Sequence, residues 1–169
     1  AFGMTGSGKT HTISGQSVAL GASNSSSTAT LANSNAGIVP RTLHRVFSHL
    51  RHQAAANTTI NKESAAMVFL TFVELYNNTF YDLLASEVPG DYNNISANNG
   101  SNSSGLKLHE HPVRGMHLTG SQTLHTPVGS AEEALALVHR GYGLRATAAT
   151  NLNERSSRSH TVLTLEIVT

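Results

Sequence analysis

The 169-residue chain contains no cysteine and no tryptophan, and aromatic residues make up only 5% of it. Without cysteine there is no disulfide framework, thiolate zinc site, iron–sulfur cluster or thiol nucleophile. Charged residues are few, at 12%, and a formal net charge of +1 gives no basic field that would point to nucleic acid. No apolar run approaches the ~18 residues of a membrane span. We therefore expect one soluble, intracellular domain that has no membrane span and binds no nucleic acid.

Small polar residues are abundant instead, with 20 Ser, 18 Thr and 14 Asn in the sequence. Much of this surplus lies in two low-complexity segments, residues 16–37 and 86–105. Such tracts bury too little apolar surface to offset the entropy that an ordered chain loses. We therefore expect two surface-loop insertions within one domain, not linkers between domains.

Between these segments the hydrophobic pattern indicates helices that alternate with strands. Apolar residues recur every three or four positions over residues 38–50, which predicts an amphipathic helix. Residues 66–75 are almost continuously apolar, as in a central strand covered on both faces. Ser130 and Glu133 form a capping-box pattern that starts another helix, and residues 161–168 predict a last strand. The alternation predicts a layered α/β fold.

Shorter elements are predicted between the long ones. Residues 76–78 favour a turn, and residues 79–84 favour a short strand or a helical turn. Residues 106–108 and 116–124 predict edge strands, which Gly115 and its neighbouring glycine and proline residues interrupt.

The strongest motif stands at the start of the chain, where Gly3-Met4-Thr5-Gly6-Ser7-Gly8-Lys9-Thr10 fits the phosphate-binding pattern G-x-x-x-x-G-K-[ST]. Its glycines let the backbone point amide protons inward and form a nest for phosphate oxygens at a helix N-terminus. Lys9 would reach the β- and γ-phosphates, and the Thr10 hydroxyl would bind Mg²⁺. The alternative is a chance glycine-rich turn before a lysine.

A second polar constellation, Asn151 to His160, comes directly before the last predicted strand. It concentrates hydroxyl, guanidinium and amide side chains, which suit a γ-phosphate, its metal and an attacking water. By itself such a cluster is equally compatible with a solvated surface loop. Its pairing with a phosphate-binding loop favours nucleotide hydrolysis.

Together these residues resemble the kinesin motor domain. The run Asn153-x-x-Ser156-Ser157-Arg158-Ser159-His160 looks like the kinesin switch I sequence, and Gly3 to Thr12 looks like the kinesin P-loop with its following turn. Gly37 to Arg41 is similar to the second half of the family's P-loop helix, and Phe72 to Leu84 is similar to one of its strands. Myosin shares an Asn-x-x-Ser-Ser-Arg switch, but Ser159-His160 favours kinesin.

The resemblance implies a three-layer P-loop NTPase of the kinesin/myosin type, with a central, mostly parallel sheet and helices on both faces. Residues 1–169 would be part of that motor domain. It implies that ATP and Mg²⁺ bind at Gly3, Met4, Thr5, Gly6, Ser7, Gly8, Lys9, Thr10 and His11. Thr10 and Ser157 would contact the metal, Asn153 the γ-phosphate side, and Ser156 the attacking water. Arg158 would pair with a switch II glutamate that these residues do not include.

The implied function is that of a cytoplasmic microtubule motor, which couples ATP hydrolysis to movement along the cytoskeleton and dimerises through a coiled coil outside this segment. Of its track-binding surface, only the region Val113 to Thr126 would be present. We expect little turnover from the 169 residues alone, because the partner of Arg158 is missing. One alternative is a truncated or degenerate kinesin-like module that binds nucleotide or tubulin without turnover. Another is an unrelated P-loop NTPase.

The ten histidines need no common function. His109 and His111 form a close pair, but a metal site would need a third ligand and supporting hydrogen bonds that the sequence does not supply. Solvated polarity is the interpretation we prefer for them. His44, His49 and His52 are predicted to lie on the polar side of the amphipathic helix.

Overall fold

The computed structural model describes residues 7–15, 36–56, 66–85, 106–113, 115–120, 124–149 and 159–169. Three helices lie in this part of the chain: α1 (Lys9–Ser14), α2 (Ile38–Ala56) and α3 (Ala131–Ala149). Its strands are β1 (Met67–Tyr76), β2 (Thr79–Asp82), β3 (Lys107–His111), β4 (Gly115–Thr119), β5 (Thr126–Pro127) and β6 (His160–Val168). The predicted insertions lie outside the described residues, except for Ala36 and Gly37.

Strand β1 organises the larger sheet, in which β2, β5 and β6 all pair with it. The β1–β2 pairing is antiparallel, with a register that runs from Val73 opposite Asp82 to Tyr76 opposite Thr79. Asn77 and Asn78 form the turn with φ angles of 48° and 59°, a left-handed conformation that asparagine tolerates. The predicted central strand is confirmed, and β2 is a strand, not a helical turn.

Strands β3 and β4 form a separate two-stranded antiparallel sheet. Their register places Lys107 opposite Thr119 and His111 opposite Gly115. The predicted bounds of both strands were wrong: Gly115 begins β4, where we expected it to interrupt the strand. Its φ of 69° provides the turn into the strand, a conformation that glycine adopts without a steric penalty.

The described residues fall into two compact units. The first consists of Ala1–Val68, Pro127–His139 and Ile167–Thr169, and the second of Phe69–Thr126 and Arg140–Glu166. Buried apolar side chains of the first unit are Leu43, Phe47, Val68, Val128, Ala131, Ala134, Leu135 and Val138. Those of the second unit are Leu70, Phe72, Val73, Leu83, Leu84 and Leu106.

Helix α2 confirms the predicted amphipathic helix but corrects one of its faces. His49 and His52 are exposed, whereas His44 is only 8% exposed and lies on the buried side with Leu43 and Phe47. The helical pattern of the sequence predicts that all three histidines of α2 face solvent, because it counts histidine as a polar residue. His44 Nδ1 lies 3.9 Å from the Glu132 carboxylate, and its buried Nε2 has no hydrogen-bond partner among the described residues.

Helix α3 begins with the predicted cap. The Ser130 hydroxyl accepts a hydrogen bond from the Glu133 amide at 3.1 Å, and the Glu133 carboxylate accepts one from the Gly129 amide at 2.7 Å. The first bond satisfies an amide of the first helical turn, and the second satisfies the amide of the residue before the cap. In the described part of the chain, no helix is long and apolar enough to cross a membrane.

Candidate functional site: the nucleotide loop and the Ser159 network

Helix α1 starts at the phosphate-binding motif. Gly8 precedes its first residue, Lys9, with φ 82° and ψ 12°, and a Cβ atom added there would meet no atom within 4 Å. Glycine is therefore needed for its backbone conformation and not for space. Gly8 provides no side-chain cap for the helix. Helix N-terminal amides that have no such cap are able to bind an anion.

Several hydrogen bonds hold this short helix together. The Thr12 amide and the Thr12 hydroxyl both donate to the Gly8 carbonyl, at 2.9 and 3.0 Å. At the other end the Gly15 amide donates to the His11 carbonyl at 2.9 Å, and Gly15 leaves the helix with φ 81°. Lys9, Thr10 and His11 thus project from a fixed turn, with Thr10 and His11 exposed and Lys9 half-buried.

The chain returns to α1 at the start of α2. Gly15 and Ala36 form an isolated antiparallel bridge, and a Cβ on Gly37 would come within 2.5 Å of the Ile13 carbonyl oxygen. Only a residue without a side chain permits this approach. The two helices therefore meet at backbone distance on either side of residues 16–35, as expected for the two halves of one interrupted P-loop helix.

The remaining predicted site residues divide into two groups. Gly3, Met4, Thr5 and Gly6, and the switch-like residues Asn153, Ser156, Ser157 and Arg158, lie outside the described residues. Their predicted roles stay predictions. Ser159, the last serine of the switch-like sequence, is described and lies in the second unit.

Ser159 is held by a network that the sequence analysis missed. Arg145 of α3 donates from Nη2 to the Ser159 hydroxyl at 2.9 Å and from Nε to Glu74 Oε1 at 3.0 Å. Glu74 lies on β1 and is fully buried. A carboxylate inside a nearly continuous apolar strand was the available signal, because a buried carboxylate requires a partner. Nothing in the sequence named Arg145 as that partner.

The β3–β4 hairpin brings a third imidazole to the pair His109 and His111. The ring of His117 lies 6.1 Å from that of His109 and 6.0 Å from that of His111, measured between centroids. The His117 Nδ1 lies 3.3 Å from the Gly115 carbonyl oxygen. Nevertheless, across the described ranges no group of three His, Asp or Glu side chains is arranged to hold a metal ion.

Glu132 and His139, both in the first unit, have shifted pKa values. The pKa of Glu132 lies below its ordinary value because the carboxylate accepts a hydrogen bond from the Glu132 backbone amide, with smaller contributions from the Ser130 hydroxyl and His44. Burial lowers the pKa of His139, whose Nε2 has no hydrogen-bond partner among the described residues. The side chain of His139 therefore favours the neutral form.

An open cavity of about 430 Å³ lies in the first unit. It is lined by Arg45, Val46, Ser48, His49 and Leu50 of α2 and by Ile167 of β6. No described residue of the predicted site lines it, so in the described part of the chain the cavity and the phosphate-binding motif are different features.

The α/β architecture and a glycine-initiated helix at a G-x-x-x-x-G-K-[ST] sequence define a P-loop nucleotide-binding domain. A family model described as the Kinesin motor domain matches residues 1–169. The chain belongs to the kinesin motor domain family.

Curated relatives agree with this assignment. The chain is 33% identical over 165 residues to kinesin-like protein K39 of Leishmania chagasi and 31% identical over 168 residues to kinesin-like protein 3 of Schizosaccharomyces pombe. These matches cover 98% and 99% of the chain, but only 15% and 24% of the two relatives. The chain thus spans a quarter or less of their length.

A solved structure supports the fold. The chain matches KIF14 in a two-heads-bound dimer, with AMP-PNP and in complex with a microtubule, at a TM-score of 0.65 and 31% identity. The match covers 98% of the chain and 36% of the KIF14 chain. The predicted fold class, a P-loop NTPase of the kinesin type, is confirmed.

Proposed function

We propose that this chain is the ATP-binding and ATP-hydrolysing part of a microtubule motor, within a larger motor domain. The observation that carries the proposal is the P-loop sequence on a helix that starts at a left-handed Gly8, in a chain of the kinesin motor domain family. The family hydrolyses ATP, and the similar KIF14 structure carries AMP-PNP on a microtubule.

The described residues fit a nucleotide with its metal. Amides at the start of α1 and the cation of Lys9 suit phosphate oxygens, and the Thr10 hydroxyl suits one position on Mg²⁺. Mg²⁺ would neutralise charge that develops on the phosphates during transfer. Lys9 would bind and orient the β- and γ-phosphates, so that catalysis rests on positioning and electrostatic stabilisation.

The switch-like residues complete the proposed site. Ser157 would provide a second hydroxyl at the metal, Ser156 would orient the attacking water, and Asn153 would contact the γ-phosphate side. Arg158 would close the site by pairing with a switch II glutamate. Association with the microtubule cytoskeleton and dimerisation through a coiled coil elsewhere in the protein belong to the same proposal.

The test is a steady-state ATPase assay on the complete motor domain, with and without microtubules. We expect stimulation by microtubules and loss of activity when EDTA removes Mg²⁺. Lys9→Ala and Thr10→Ala should each lower the rate by about 100-fold, as when a group that stabilises transition-state charge is removed. Thr42→Ala, at an exposed position of α2, is the matched control and should keep the wild-type rate.

Each other result contradicts a defined part of the proposal. ATP turnover without stimulation by microtubules would refute the motor and leave a P-loop NTPase. Nucleotide or microtubule binding without turnover would favour a degenerate kinesin-like module. An unchanged rate in Lys9→Ala would refute the assignment of the P-loop as the catalytic nucleotide site.

A further inference from the structure

Glu74, Arg145 and Ser159 form one hydrogen-bonded network within the second unit. They come from three different elements: Glu74 from the C-terminal half of β1, Arg145 from α3, and Ser159 from the residue directly before β6. The two bonds are 3.0 Å, from Arg145 Nε to Glu74, and 2.9 Å, from Arg145 Nη2 to Ser159. The guanidinium of Arg145 therefore connects α3 both to β1 and to the start of β6.

Burial fixes the direction in which this guanidinium points. The Glu74 side chain is 0% exposed and that of Arg145 only 20% exposed. Leaving a buried carboxylate without its cation is strongly unfavourable, so Arg145 remains on Glu74. The guanidinium is planar and its donors keep a fixed geometry. The bond from Arg145 Nε to Glu74 therefore also determines where Arg145 Nη2 lies.

The other end of the network is next to the proposed catalytic residues. Ser159 follows Arg158 directly, and consecutive Cα atoms are only about 3.8 Å apart. Arg158 is therefore bonded directly to a residue that the network holds. Misplacement by about 1 Å is enough to lower a reaction rate substantially when catalysis depends on positioning.

We propose that Arg145 is a positioning residue: held by the buried Glu74, it fixes Ser159 and so aligns the Asn153–Arg158 segment for phosphoryl transfer. This inference rests on the proposed ATP hydrolysis. The expected effect is selective. Alignment of this segment affects the transfer of the γ-phosphoryl group, whereas the binding of ADP, which has no γ-phosphate, depends on the P-loop.

The experiment compares four variants of the complete motor domain. Ser159→Ala removes one hydroxyl and leaves the Arg145–Glu74 pair intact. Arg145→Lys keeps the charge beside Glu74 but cannot hold both partners in the same fixed geometry. Ser159→Thr restores a hydroxyl. Arg140→Lys is the matched control, since Arg140 lies on the same helix and donates to the Leu84 carbonyl, with no bond to Ser159.

We expect kcat to fall about ten-fold in Ser159→Ala and Arg145→Lys, while KM for ATP and the Kd of Mg·ADP stay within about two-fold of wild type. Ser159→Thr should recover most of the lost kcat, and Arg140→Lys should retain it. Unchanged kcat in Ser159→Ala would overturn the proposal. A parallel loss of ADP affinity would also overturn it, because that result indicates general structural damage.

A second readout separates this inference from the proposed function. Hydrogen exchange of a peptide that covers residues 150–160 should be faster in Ser159→Ala than in wild type, whether or not the protein turns over ATP. If the wild-type protein hydrolyses no ATP, the proposed function fails, and hydrogen exchange alone then tests the anchoring role of Arg145. Faster exchange then supports the anchoring role of Arg145, and unchanged exchange overturns it.

Discussion

The ring of Phe72 on β1 occupies the space into which a side chain on Gly141 of α3 would project. A Cβ atom on Gly141 would lie 2.7 Å from Phe72 Cδ1 and 2.8 Å from Cε1, and 3.1 Å from the Leu83 carbonyl oxygen. Phe72 is 1% exposed and also packs edge-on against Tyr142, at 5.1 Å between ring centroids. A Cβ atom at this distance would force the buried ring or the backbone to shift, so this helix approaches the strand at a residue without a side chain.

Gly141→Ala should accordingly lower the free energy of unfolding by about 1–3 kcal/mol, the usual cost of overpacking a core. Gly143→Ala is the matched control on the same helix, because a Cβ there would meet no atom within 4 Å. It should raise stability by about 0.5–1 kcal/mol through helix propensity. Urea denaturation of both variants measures the difference, and equal effects would contradict the packing at Phe72.

Gly37→Ala should damage the phosphate-binding helix from a distance in sequence. Its Cβ would lie 2.5 Å from the Ile13 carbonyl oxygen and Ser14 backbone carbon, and these backbone atoms cannot rotate away as a side chain can. We expect a loss of at least about 2 kcal/mol in unfolding free energy and weaker binding of Mg·ADP.

The control for this substitution is Gly129→Ala. A Cβ there would lie 3.5 Å from the Glu133 carboxylate oxygen, which is ordinary van der Waals contact. We expect ADP affinity to stay at the wild-type value in Gly129→Ala. If both variants bound ADP equally well, the close approach of α1 and α2 would have no bearing on the nucleotide loop.

Ser130→Ala should lower the free energy of unfolding by about 1 kcal/mol, because the Glu133 amide loses the acceptor that caps α3. Ser130→Asp keeps an acceptor at the same position and places a negative charge at the helix N-terminus, so it should retain wild-type stability. Thermal unfolding of the two variants is the measurement. A destabilised Asp variant would show that the cap is not the reason for serine at this position.

His139 should make stability depend on pH below neutrality. Its folded-state pKa is lowered from the ordinary 6.5 by burial. In the window below pH 6.5 the unfolded chain therefore binds more protons at this residue than the folded chain, and the free energy of unfolding falls as pH decreases. Above that window the imidazole is neutral in both states and this penalty is absent.

The measurement is urea denaturation at several pH values between 7 and 5, for wild type, His139→Gln and His52→Gln. We expect His139→Gln to lose less stability than wild type as pH falls, because it has no imidazole to protonate. His52→Gln, at an exposed position, should follow wild type. Parallel curves for all three proteins would contradict the burial of a neutral His139.

Much of the fold could be predicted because its signals are local. The helix cap at Ser130, the turn at Asn77-Asn78 and the left-handed Gly8 at the start of α1 depend on contacts within a few residues. Sequence patterns record such contacts directly. The same holds for the P-loop motif, whose backbone conformation and ligand chemistry are set by consecutive residues.

The exact bounds of β3 and β4 were harder to predict from the sequence. The sequence pattern predicts an interruption at Gly115, yet the left-handed φ of this glycine is what turns the chain into β4. Whether a glycine ends or begins a strand depends on the partner strand, and the pairing of Gly115 with His111 is visible only in the folded hairpin.

The sequence by itself determined the family, the phosphate-binding motif and the order of the longer helices and strands, since all three are properties of short runs of residues. Only the tertiary structure paired Glu74 with Arg145, 71 residues apart, and placed Ser159 on the same guanidinium. It also buried His44, against the helical pattern. Such contacts join residues that are distant in sequence, and their energy comes from burial and geometry that no local pattern encodes.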